Sequence, residues 1–515
     1  MLRSWREVRG VRVIAIILRR DFCNLDTQSK SSPDSLSWPC DEHFHPTYEI
    51  TGRKVIAVRY DTVIIGAGMS GLSAGVRLAY FEKNVCILER HTTVGGLNSF
   101  YRLRKRNYDV GLHAVTNYAE PGTKQGPLSK LLRQLRMKWE DFDLRPQLRS
   151  SIVFPDCALH FTNQFNFFVE QIAAAFPQQI DGFRRLVTRI AEHDALDLER
   201  SALSARQVVS AYIRDPLLID MIFCPLMFYG SATPRDMDFN QFVIMFKSIF
   251  HEGFGRPFDG IRLILKRLVK HFKSLGGHLK LRAGVQEIRQ TNGVATSVLL
   301  DDGTEIEAEN ILSSAGAAET MRMVDPNAPL MKAEPGDISF VESISVLDCE
   351  PASLGHRDTI VFYSDSKEFH YERPNVPVDL RSGIVCSPNN FDYSQPLEDG
   401  RIRITALADP HYWLNLSEED YAAAKDYWNS QIIQSALQHL PDFRPHVIDT
   451  DVFTPRTIQR FTGHMNGCVY GAPQKFVNGQ TPVRNLYLCG TDQGFLGIVG
   501  AMLSGITIAN RYLLK

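Results

Sequence analysis

Residues 61–74 read Asp61-Thr-Val-Ile-Ile-Gly66-Ala-Gly68-Met-Ser-Gly71-Leu-Ser-Ala74. A short apolar run passes into glycines and then into a second apolar run, which predicts a strand, a tight turn and a helix. Each glycine has a separate task. Gly66 lets the strand turn sharply, Gly68 lets the backbone approach phosphates, and Gly71 lets the helix pack on the strand. Ala67 and Ser70 share that turn, and the amides at the helix start face an anion. This layout cradles a dinucleotide pyrophosphate.

The neighbours strengthen the reading. Asn84-Val-Cys-Ile-Leu-Glu89 predicts a second parallel strand, with Glu89 at its carboxyl end about 20 residues beyond the glycines, where an acid accepts ribose hydroxyls. A surface acid ending a strand is the competing reading. Five residues on, Val94-Gly95-Gly96-Leu97 adds a second glycine pair. Together with Glu89-Arg90 it resembles the extended dinucleotide motif of the flavin amine oxidase and carotenoid desaturase superfamily. That resemblance implies flavin adenine dinucleotide (FAD) as cofactor. The superfamily usually carries Arg or Lys after the glycine pair, so Leu97 is a departure, and it makes the flavin edge more apolar.

The far end of the chain carries a matching element. Asn485-Leu-Tyr-Leu-Cys-Gly490-Thr-Asp492 predicts a strand ending in glycine and an acid, followed by Gly494, Gly497, Ile498, Gly500 and a helix from Ala501 through Leu513. It resembles the superfamily's C-terminal flavin motif. The resemblance implies that Gly490 and Asp492 meet the ribityl chain and pyrophosphate, and that the Gly497-Ile498 segment and its helix point their amino end at the flavin ring. By the same resemblance, Asn107-Tyr-Asp109-Val-Gly111-Leu-His113 returns the chain to the flavin with His113 at its face, and Val285 meets the adenine through its backbone. A histidine bonded within a strand or loop is the alternative for His113. Thr454 to Gly471 is similar to the stretch before the last flavin motif in bacterial-type phytoene desaturases, carotenoid isomerases and retinol saturase. It sets Tyr470 beside His113 as the polar side chains nearest the flavin.

Composition narrows the partners. The 57 basic and 58 acidic residues among 515 nearly cancel, so no global charge points to nucleic acid. The nine cysteines are odd in number, scattered and without a Cys-x-x-Cys pair, which fits a reducing compartment, and no His/Cys cluster has metal-site spacing. Residues 1–58 read as a disordered extension. Within it Val11 to Leu18 is too short to span a bilayer, and Thr27 to Pro39 is linker-like. An organellar transit peptide is a second reading of its arginines.

The expected fold is α/β. A Rossmann-like FAD-binding domain is discontinuous over 59–139, 255–330 and 480–515, and an α+β substrate domain takes 140–254, helical and apolar, with 331–479. Leu217 to Tyr229 and Phe239 to Phe250 are expected to break at Pro225 and around Gly230 to Pro234 and to wall an apolar tunnel. Gly260 to Phe272 predicts an amphipathic helix with Arg262, Lys266, Lys270 and Lys273 on its outer face. These aromatic stretches and that basic face are the expected peripheral contact with a membrane for an otherwise cytoplasmic protein.

The expected function is FAD-dependent oxidation or reduction of a long apolar isoprenoid, of the phytoene or squalene type, by hydride transfer to flavin N5. The alternatives are a flavin amine oxidase with Tyr470 and Phe495 as an aromatic pair, a carotenoid isomerase or saturase, and a non-catalytic prenyl-binding protein. Oligomeric state is left open.

Overall fold

In the computed structural model, residues 59–195, 202–326 and 333–515 are described. The expectations for residues 1–58 lie outside them. The opening apolar run forms the strand Tyr60–Ile65, and Met69–Tyr80 is the helix beyond the glycine turn. Tyr60–Ile65 pairs in parallel with Val85–Glu89 on one side and with Glu305–Ser313 on the other. His278–Leu281 extends the sheet beyond Val85–Glu89, and Leu486–Leu488 joins Glu305–Ser313, both in parallel. Val63, Ile64, Val85 and Ile87 are fully buried. That is why these strands read as continuous apolar runs rather than alternating ones: a parallel sheet is covered on both faces. Strands lie on both sides of Tyr60–Ile65, so its carboxyl end is a topological switch point, where such sheets hold ligands.

A second sheet runs in the order Val447–Phe453, Ser339–Leu347, Gly400–Ala408, Ser382–Cys386, Ile360–Ser364, Ser150–Phe154 and Cys157–Phe161. Every residue of Ser339–Leu347 is buried, with antiparallel partners on both sides. The helices Pro216–Gly230 and Phe239–Phe246 pack in the same core as this sheet's Ile152, Ile360 and Ile384.

Three expectations change here. Pro225 does not break its segment, because the helix continues from Pro216 to Gly230. Proline removes one backbone bond, and burial of Leu218 through Phe228 on all sides holds the turn together. That same burial turns the rings of Phe223, Phe242, Phe246 and Phe250, expected at a membrane, into the core. The last helix begins at Gly497 rather than Ala501. Its glycines suggest a loop in the sequence but serve close approach instead: a Cβ on Gly505 would lie 2.0 Å from the Ser70 carbonyl oxygen. The amphipathic helix forms as Ile261–Ser274, with Ile261, Ile264, Leu265, Leu268 and Phe272 buried.

Candidate active site

The two glycine turns meet. Gly95 donates its N–H to the Ala67 carbonyl at 2.9 Å, and Gly68 and Gly95 form a parallel bridge. Gly66, at φ 95°, takes a left-handed turn that other residues adopt only with strain. A Cβ on Gly71 would sit 2.1 Å from the Gly66 oxygen, whereas one on Gly68 would meet nothing within 4 Å. So Gly71 is required by packing, and Gly68 keeps space open. No side chain caps the helix that starts at Met69, which leaves its amides and positive dipole end facing that space. Glu89 is 6% exposed. Its Oε2 accepts from the Ala67 N–H and its Oε1 from the His91 N–H, both at 2.9 Å. Each oxygen has a further lone pair for a ribose hydroxyl. This open cradle with an acid at its side fits a dinucleotide pyrophosphate and ribose.

Other expected residues surround the cradle or stand back from it. A Cβ on Gly490 would lie 3.1 Å from the Ser70 hydroxyl, so these two touch across the turn. Ala283 donates to the Glu89 carbonyl at 2.8 Å, which brings the strand starting at Val285 alongside the end of the second strand. Arg90 is exposed, with its guanidinium against Gly463. Asp492 lies deeper. Expected beside the ribityl chain, it is 2% exposed and spends its carboxylate on backbone amides, Oδ2 on Ala317 and Oδ1 on Ala472 at 2.7 Å. A buried acid needs donors, and those two amides, one at the start of the helix Ala317–Val324, supply them, with the Lys475 ammonium 3.8 Å from Oδ1.

A cavity of about 1020 Å³ opens beside the cradle. Glu89, Gly96, Leu97, His113, Tyr470, Gly497 and Ile498 all line it, whereas Gly66, Gly68, Ser70, Gly71, Gly95 and Asp492 do not. Phe228, Phe340, Ile384, Val469 and Leu496 make much of its wall apolar. The last helix points its uncapped amino end, Gly497 and Ile498, at this space. Phe495, the expected aromatic partner of Tyr470, is not on the wall; it packs against Gly500.

Polar side chains, Glu418, Lys425, Asp451 and Arg456 among them, also line the cavity, and one polar cluster surrounds His113. His113 Nε2 lies 3.2 Å from Thr405 Oγ1 and 3.5 Å from Glu342 Oε1. Arg403 binds Glu342 Oε1 and also donates to the carbonyls of Leu112 (2.6 Å) and Val110. Burial would raise the Glu342 carboxyl, but the Arg403 guanidinium and His113 together hold it below the ordinary carboxylate range. Tyr470 donates its O–H to the Phe228 carbonyl, and burial pushes the phenol well up. Glu342, Arg403 and Thr405 escaped the sequence reading. Their signal was present: a lone acid in Ser-Phe-Val-Glu342-Ser-Ile-Ser-Val and a lone interior arginine in Ile-Arg403-Ile-Thr405-Ala-Leu, where the neighbours are apolar or small.

The fold and cavity define an α/β dinucleotide-binding oxidoreductase, and comparison with known proteins narrows the class. The model of the family "Flavin containing amine oxidoreductase" matches residues 69–347. The chain belongs to this family and is an FAD-dependent oxidoreductase. It is 23% identical over 506 residues to a chloroplastic prolycopene isomerase of Daucus carota, covering 88% of this chain and 80% of the relative. It is 25% identical over 448 residues to a 4,4'-diaponeurosporene oxygenase of Staphylococcus haemolyticus, covering 79% of this chain and 86% of the relative. Among solved structures, an oxidoreductase from Methanosarcina mazei shares the fold, with a TM-score of 0.62 at 16% identity, covering 87% of this chain and 100% of that one. Among the described residues, no helix is long and apolar enough to cross a membrane.

Proposed function

We propose that this chain alters double bonds in a long apolar isoprenoid of the carotenoid type. The observation that carries this reading is the predominantly apolar cavity of about 1020 Å³ alongside the glycine cradle, with Leu97 at the position where the superfamily has a cation. The carotenoid-acting names of the two curated relatives support the substrate class. Gly66 to Gly71, Glu89 with Arg90, Gly95-Gly96, Val285 and Gly490 hold the cofactor in this reading, and Gly497-Ile498 abuts its ring. The division into a cofactor part (59–139, 255–330, 480–515) and a substrate part (140–254, 331–479) follows the two large sheets.

When bound, the flavin supplies two-electron hydride chemistry. The chain's own residues do the rest. Phe228, Phe340 and Ile384 orient the hydrocarbon and exclude water, Leu97 keeps the reacting edge dry, and His113 takes or returns the proton that accompanies the bond change. Tyr470, whose O–H is already committed to Phe228, shapes the wall rather than donating a proton.

The amine oxidase reading loses Phe495 as the partner of Tyr470, because Phe495 stands off the wall. A peripheral membrane contact for a cytoplasmic protein, part of the same proposal, rests on the exposed Lys266, Lys270 and Lys273 of the Ile261–Ser274 helix. The test is to incubate flavin-loaded protein with poly-cis-lycopene and with 4,4'-diaponeurosporene and to separate the products by chromatography. A changed chromophore in either supports the reading; recovery of both unchanged, alongside turnover of an amine such as putrescine, contradicts it.

A further inference from the structure

Glu342 does not belong in an apolar wall on solubility grounds. It is 8% exposed, and carrying a carboxylate into such a wall is unfavourable unless a cation and hydrogen bonds accompany it. Both are present. Arg403 supplies the cation, and its fork reaches past Glu342 to the carbonyls of Val110 and Leu112, the two residues on either side of Gly111 just before His113. One guanidinium therefore fixes the acid and the loop that carries the histidine.

The strand register completes the arrangement. Glu342 of Ser339–Leu347 is the direct antiparallel partner of Thr405 of Gly400–Ala408. Cross-strand partners share a face, and Arg403, two residues from Thr405, shares it too. Both Oε1 and Oγ1 close on one ring nitrogen of His113, Nε2. The backbone is held as well, since the Cys386 thiol donates to the His113 carbonyl at 3.8 Å. Among the described residues, no hydrogen bond engages Nδ1.

We infer that Glu342 is the positioning residue that fixes His113 as its Nε2–H tautomer and leaves Nδ1 as the nitrogen that exchanges a proton with the substrate. The chemistry follows from the inventory of the groups. An ionised carboxylate is acceptor-only, so the tautomer with hydrogen on Nε2 is favoured and the lone pair falls on Nδ1. Thr405 Oγ1, the hydrogen-bond partner of Nε2 at 3.2 Å, then accepts from that N–H, and Glu342 Oε1 at 3.5 Å holds the proton on that side by its charge. Arg403 keeps the carboxylate ionised in a place where burial alone would protonate it. The inference rests on His113 being the proton-handling group of the proposed function, and it adds which atom acts and what aims it.

Nuclear magnetic resonance of the flavin-loaded protein, labelled with ¹⁵N-histidine and assigned against His113→Ala, reads the tautomer without substrate. Wild type is expected to show His113 with its proton on Nε2, Glu342→Asp to keep that form, and Glu342→Gln to lose the preference. In parallel, Glu342→Gln is expected to lower turnover of poly-cis-lycopene about tenfold or more with KM and flavin content close to wild type, as misaiming a group does. If the single change unfolds the chain, the wild-type tautomer, with Glu342→Asp beside it, decides the question. A wild-type proton on Nδ1, or a tautomer unmoved by loss of the Glu342 charge, overturns the inference while inactive His113→Ala leaves the histidine's role standing. Full turnover in His113→Ala overturns both.

Discussion

Glu342 and Thr405 stand directly opposite one another on neighbouring antiparallel strands, and their side-chain oxygens lie 3.5 and 3.2 Å from the same nitrogen of His113. In the proposed function, this histidine at the cavity wall handles the proton that accompanies the bond change. His113→Ala should therefore keep its flavin and lose turnover by about a hundredfold or more, the usual size of a general acid or base contribution. Flavin absorbance and product formation on one preparation check it; near-wild-type turnover would leave His113 as a wall residue.

The glycine turn yields a contrast between two neighbours. A side chain at Gly68 meets open space, so Gly68→Val should fold with a melting temperature near that of wild type yet purify without flavin. At Gly71 a Cβ would press on the Gly66 oxygen at 2.1 Å, so Gly71→Ala should destabilise the fold itself by about 1–3 kcal/mol. Thermal denaturation with a flavin assay separates the two, and flavin retained in full by Gly68→Val would remove the cradle assignment.

These elements differ in how far the sequence exposed them. The cradle was legible because its requirements are local: a turn, a close approach and a helix start fall within 14 residues of chain, and backbone geometry at each dictates glycine. Glu89 was legible for the same reason. The partners of Asp492 were not, since Ala317 and Ala472 lie 175 and 20 residues away in sequence and offer only backbone amides. The Glu342–Arg403–His113 unit was hidden likewise: the ion pair alone spans 61 residues, and register between two strands cannot be read from either one. Segments 217–229 and 239–250 showed their apolar character but not its destination, because a helix apolar all round looks alike whether it meets lipid or core.

Asp492 ties three parts of the chain together, so its loss should be felt as instability. Asp492→Ala leaves two buried amides without acceptors, a change worth about 1–3 kcal/mol for each group. Denaturant midpoints should fall accordingly, and Asp492→Asn should recover part of the loss. A midpoint equal to that of wild type would contradict this structural role.

Glu252 makes a pH dependence measurable. Burial raises its carboxyl from 4.5 to about 7, against the opposing pull of the Asn117 amide, 2.6 Å away, and of Lys247. The folded protein thus binds a proton that the unfolded chain has released between these values. Its contribution to stability is present below about pH 4.5 and lost as pH rises to about 7. Glu252→Gln should flatten that part of the profile and gain a few kcal/mol relative to wild type at pH 8. Equal profiles for the two proteins from pH 5 to 8 would contradict the assignment.

The basic face of Ile261–Ser274 predicts salt-sensitive retention on vesicles containing phosphatidylserine, weakened by about 1 kcal/mol for each of Lys266, Lys270 and Lys273 changed to Gln. Flotation at low and high salt reads this directly, and protein that stays in the soluble fraction at both would end the proposal.

The proposed function puts an apolar isoprenoid, not an amine, against the flavin in this cavity. Titrating the purified protein, while following the visible absorbance of its bound flavin, tests it most directly. Poly-cis-lycopene or 4,4'-diaponeurosporene in detergent should perturb the flavin bands saturably, blocking the cavity with Ile384→Trp should weaken the effect, and putrescine should leave them unchanged. Flavin bands that ignore both isoprenoids and bleach on anaerobic addition of putrescine would contradict it.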